Sequence, residues 1–66
     1  MKITVNNDLV QVDESMTVEK LIELFNFQQY QLAVALNNQV VPKTKWQQTL
    51  LHENDHIIII KAVSGG

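Results

Sequence analysis

The unbroken run Ile57-Ile58-Ile59-Ile60 constrains this chain more than any other stretch. A short apolar run bounded by turn residues reads as a buried strand. The polar turn His52-Glu53-Asn54-Asp55 stands just ahead of it. With 66 residues in all, the chain is one small domain, and domains this short bury only about 60% of their unfolded surface. The remaining segments must therefore supply a core around that strand. They have room for roughly one helix and a few more strands, and none for a separate catalytic domain.

The segments read accordingly. Met1 to Val5 alternates, with Ile3 and Val5 on one face and Lys2 and Thr4 on the other, as in a half-buried strand. Asn6-Asn7-Asp8 is a turn, because Asn and Asp tolerate left-handed backbone and bond their own main chain. Leu9 to Val12 is a second strand, which makes the opening unit a hairpin. Asp13-Glu14 is a charged lead-in to a helix, Thr17 is its N-cap, and Glu19 suits its N-terminal end. Val18, Leu21, Ile22 and Phe25 follow at helical spacing and form one apolar stripe, with Lys20 and Glu23 opposite. The helix stops at Asn26, and Phe27 folds back towards the core.

Leu32 to Leu36 is a strand that alternates large residues (Leu32, Val34, Leu36) with small ones (Ala33, Ala35). Asn37-Asn38 turns it into Gln39-Val40-Val41, which Pro42 ends for want of an N–H. Lys43 to Gln48 is a helical turn pinned by Trp46, Thr49-Leu50-Leu51 a short edge strand, and His56 to Ala62 the final strand. One helix over a mixed sheet buries this pattern economically. The first and last strands, being apolar, belong at the centre and run parallel. The expected class is α+β. The architecture is a β-grasp (ubiquitin-like) sheet of about four or five strands with the main helix on one face. A single domain spans 1–66, with a flexible tail over 63–66.

Composition excludes several functions. There is no cysteine, hence no disulfide framework, thiolate metal site or catalytic thiol. The five basic residues are all lysines, scattered as Lys2, Lys20, Lys43, Lys45 and Lys61 under a net charge of −2, which gives nucleic acid no basic stripe. The N-terminus is too alternating for a signal peptide, and no apolar run is long enough to span a bilayer. The expectation is a soluble, cytoplasmic protein, monomeric when free. His52 and His56 are solvent-exposed turn residues rather than a metal pair, and Trp46 is a satellite core residue rather than a binding anchor. No catalytic set and no metal cluster is visible, so the chain is not an enzyme by itself.

The final strand divides into two faces. Lys61 marks the face of Ile57, Ile59 and Val63 as solvated, which assigns Ile58, Ile60 and Ala62 to the core. The expected core is Ile3, Val5, Val10, Val12, Val18, Leu21, Ile22, Phe25, Val34, Leu36, Ile58 and Ile60. Ile57, Ile59 and Lys61, with Ala33 and Ala35 allowing close approach, then form a candidate docking face. Past it the chain loses bulk through Val63-Ser64 to Gly65-Gly66. Glycine adds no packing, so this ending reads as a frayed end or as a slim arm shaped to enter a narrow site.

The Gly65-Gly66 ending after a β-grasp pattern resembles the sulfur carrier proteins. Thr17-Val18 at the helix start and the spacing Ala35-Leu36-Asn37, Val41-Pro42, Trp46 are similar to the ThiS-like carriers of thiamin biosynthesis. The likeness covers the whole chain. It departs at Glu53-Asn54-Asp55, where that family often has Asp-Gly-Asp, and Asn is the usual non-glycine residue in left-handed backbone. The resemblance implies that an adenylating enzyme joins AMP from ATP to the Gly66 carboxylate. A persulfide on a partner displaces AMP and leaves a thiocarboxylate, whose sulfur a thiazole synthase takes. The carrier itself binds no cofactor. Two other readings stay open on the sequence: a carrier like the small subunit of molybdopterin synthase, and a ubiquitin-like modifier or interaction module.

Overall fold

The computed structural model describes residues 1–27 and 30–62. Strand β1 (Lys2–Val5) turns through Asn6-Asn7 into β2 (Asp8–Gln11). Helix α1 (Val18–Leu24) crosses to β3 (Gln31–Leu36), which turns through Asn37-Asn38 into β4 (Gln39–Val40). A 3-10 helix over Lys43–Gln48 precedes β5 (His56–Ala62). The sheet order is β2-β1-β5-β3-β4. Strands β1 and β5 run parallel, and β3 is antiparallel to β5 over its whole length, from Gln31–Ala62 to Leu36–Ile57. This is the expected mixed sheet with one main helix.

Local chemistry explains the element ends. Thr17 is extended, and its hydroxyl accepts from the Lys20 N–H at 3.2 Å, as an N-cap should. Asn26, with φ 59°, stops the helix, and the Phe27 N–H donates back to the Ile22 carbonyl at 3.0 Å. Both hairpin turns are Asn-Asn pairs with positive φ at each residue (52° and 73°, then 50° and 71°), the geometry a two-residue hairpin needs. Among the described residues every positive φ falls on an asparagine, Asn54 included. Val12 is buried but lies one residue past β2. Thr49-Leu50-Leu51 forms no strand of its own: it makes a single bridge, Thr17 to Leu50, and Leu51 drops into the core.

The core is Ile3, Val5, Val12, Val18, Leu21, Ile22, Val34, Trp46, Leu51, Ile57 and Ile59. Val10, Phe25 and Leu36, expected inside, are only partly buried against it. The larger correction is the parity of β5. Ile57 and Ile59 are 0% and 5% exposed, whereas Ile58 and Ile60 are 38% and 60% exposed. The expected assignment of the two faces is therefore reversed. Lys61 does share a face with Ile57 and Ile59, but it lies beyond the end of the core. Its ammonium sits over the rings of Phe27 and Tyr30, 4.6 and 4.9 Å from their centroids. A lysine at a strand end can run its stem along apolar surface and still reach water, so it does not mark the whole face as solvated.

Candidate functional site

The open face of the sheet is the candidate site, and the ladder decides its membership. Residues directly opposite in an antiparallel pair share a face. Ile60 stands across from Ala33, Ile58 across from Ala35, and Ala35 in turn across from Val40. Ile58, Ile60 and Val40 are exposed, as is Ala33. Together they make a contiguous apolar surface over β5, β3 and β4, of the kind that monomers seldom leave uncovered without a use. Of the residues expected here, Ala33 and Ala35 are in place, Lys61 lies at the end of the opposite face, and Ile57 and Ile59 are buried.

Ile58, Ile60 and Val40 were missed. A run of identical residues carries no parity of its own, so only its flanks could assign the faces. Ala33 and Ala35 could have done so, because small residues on β3 leave room for whatever stands opposite on the same face. His56, preceding Ile58 by two, is the more polar flank of the open face. Its Nδ1 lies 2.6 Å from the Thr4 hydroxyl across the parallel β1–β5 pair.

Three side chains fix β5 in this register. The Asn6 amide accepts from the Ile59 N–H at 2.8 Å and donates to the Ile59 carbonyl at 3.1 Å, standing in for a strand residue beyond Val5. Asn37 accepts from the His56 N–H at 2.9 Å and donates to Asp55 at 3.0 Å. The other Asp55 oxygen accepts from the His52 N–H at 2.7 Å and closes the turn. Asp55 is thus a turn-forming residue, and His52 and His56 are both exposed and apart in role.

Ala62 pairs with Gln31, which fixes the end of the sheet at which β5 finishes. The tail positions Val63, Ser64, Gly65 and Gly66 lie outside the described residues. Among the described residues no group of three or more His, Cys, Asp or Glu could hold a metal, and no helix is long and apolar enough to cross a membrane.

Comparison with known proteins bears on this arrangement. The model of the ThiS family matches residues 2–66. The sulfur carrier protein ThiS of Escherichia coli (strain K12) is 32% identical over 66 residues, which cover both chains completely. A thiazole synthase of Paramagnetospirillum magneticum is 30% identical over all of this chain, which corresponds to 20% of its own length. The crystal structure of the thiamine biosynthesis protein ThiS from Geobacter metallireducens superposes with a TM-score of 0.83 at 27% identity, again over the whole of both chains.

Proposed function

We propose, because this chain belongs to the ThiS family, that its sulfur rides on the carboxylate of Gly66. The protein is a sulfur carrier of thiamine biosynthesis. The observation that carries the finer reading is the match to the family through residue 66, the glycine pair included. A carboxylate is a poor electrophile, so an adenylating partner first joins it to AMP from ATP, releasing pyrophosphate. A persulfide sulfur then attacks the glycyl carbonyl carbon and AMP leaves. Opening the resulting S–S bond by a thiol leaves a thiocarboxylate.

In this reading the chain is a protein co-substrate rather than a catalyst, and the cytoplasm is its place of work. The carrier holds no cofactor of its own; ATP belongs to the adenylating partner. The open face of Ala33, Ala35, Ile58, Ile60 and Val40 docks that enzyme, while the tail beyond Ala62 reaches its nucleotide. A thiazole synthase receives the sulfur. The relative in which a domain like this one occupies part of a thiazole synthase chain supports that partnership.

The test is intact-mass measurement after incubation with the adenylating enzyme, ATP and a sulfur donor. Oxygen replaced by sulfur at Gly66 is the expected result. Conjugation to lysines of other proteins, with no sulfur gained, would sink the carrier chemistry in favour of a modifier.

A further inference from the structure

The outer edge of β3 is only half covered. β4 pairs with it at Ala35 and Leu36, and the Val41 N–H donates to the Val34 carbonyl at 2.8 Å. There the ladder ends, for two reasons. From Pro42 the chain turns into the 3-10 helix over Lys43–Gln48, so Lys43 is not extended opposite Leu32, and the Val41 carbonyl accepts from the Trp46 indole at 2.9 Å. Leu32 has the same parity as Val34, so its N–H and C=O point to the β4 side of the sheet. No described strand lies opposite them. Unpaired edge groups of this kind are a template for an added strand.

A cleft of about 450 Å³ follows this edge and touches both faces of the sheet. Leu32 and Trp46 line it on the helix side and Ala33 and Ile60, with the paired Gln31 and Ala62, on the open side, next to Tyr30 and Lys43. Lys43 is the one charged residue among the described residues that line it. On the helix side a smaller hollow of about 160 Å³ shares Tyr30, Leu32, Lys43 and Trp46 and extends over Ile22, with Glu19 and Glu23 of α1 also lining it beside Lys43.

We infer that this edge accepts an extended segment of the thiazole synthase as a further strand, with an apolar side chain over Trp46. The inference rests on the carrier reading above and adds where and how the acceptor enzyme holds the carrier. The tail narrows the occupant to a protein that takes Gly66, and among these the thiazole synthase is the one that a relative's own chain supports. Gln31 pairs with Ala62, so the open edge lies at the end of the sheet from which residues 63–66 continue. Four extended residues span at most about 13–14 Å. A protein that takes Gly66 into its own site must therefore close on this end of the domain. Strand addition matches the cleft, because alternate residues of the incoming segment face opposite sides of the sheet. One meets Leu32 and Trp46; the next meets Ala33 and Ile60.

Amide hydrogen exchange on the full-length, isotope-labelled carrier tests this, free and in complex with unlabelled thiazole synthase from the same organism. In the complex the Leu32 N–H should exchange at least about tenfold more slowly. The Leu9 N–H, which points outward from β2 at the other edge, should keep its free rate. If the complex forms while Leu32 keeps its free rate, the edge is not the contact and the inference falls, although the carrier reading stands. If no complex forms under conditions in which wild-type carrier is adenylated, both the inference and the assignment of the thiazole synthase as acceptor fall.

Discussion

Ala33 lies directly across the ladder from Ile60, and the difference in their size leaves the isoleucine standing in solvent. The same holds for Ala35 and Ile58. Neither alanine can shield its neighbour, so the apolar surface of the open face follows from the ladder register.

Ile60→Glu should therefore leave the fold within about 0.5 kcal/mol of wild type while weakening binding to the adenylating enzyme at least about tenfold, since it would bury an unpaired charge at the contact. Ile59→Glu should unfold the domain, because the same charge would enter the core. Circular dichroism and a binding titration on the two variants separate the faces. A folded Ile59→Glu would reverse the assignment.

Leu21 is fully buried beneath the sheet, on the apolar stripe of α1. Leu21→Ala should cost about 2–5 kcal/mol, a large share of what a domain of this size has. Chemical denaturation measures it, and an unchanged midpoint would remove Leu21 from the core.

Asn6 holds both main-chain groups of Ile59 through its side-chain amide. Asn6→Gly keeps the left-handed backbone but leaves those groups unpartnered in a half-buried place, at a cost of about 1–3 kcal/mol. Loss of exchange protection at the Ile59 N–H should accompany it. Protection equal to wild type would show that water replaces the amide without penalty.

For the tail, Gly65→Val should block thiocarboxylate formation with no change in unfolding midpoint, because a side chain widens the thread. One residue added after Gly66 should abolish it by carrying the carboxylate past the nucleotide. Both variants can be weighed after incubation with enzyme, ATP and sulfur donor. An extended protein that gains sulfur at the wild-type rate would place the reacting group elsewhere.

Much of this architecture was legible in the residues. The Asn-Asn pairs announce hairpins, and the helical spacing from Val18 to Phe25 allows one amphipathic helix. Thr17 and Asn26 mark its ends, and Trp46 reads correctly as a core residue. The β5 faces were not legible, because a run of isoleucines has no periodicity and Lys61 gave a misleading boundary. That lysine ends the strand over Phe27 and Tyr30, a long-range contact that no local pattern contains. The Leu32 edge was equally hidden. It exists because Pro42 and the Trp46 indole draw the chain away after Val41, which only the assembled ladder reveals.

Glycine is used in one place only. Both glycines of the chain are Gly65 and Gly66, while all six left-handed positions among the described residues are asparagines. Two of these, Asn6 and Asn37, also lend their amides to β5, whereas Asn7, Asn26, Asn38 and Asn54 make no side-chain bond among the described residues. Glycine fits left-handed backbone without strain but enlarges the freedom of the unfolded chain. Variation at those four turns would therefore adjust how readily the domain folds and leave the terminal glycines untouched. Selection can act on folding and on chemistry through separate sets of positions, so a lineage could become more or less robust without relearning how to hand over its cargo.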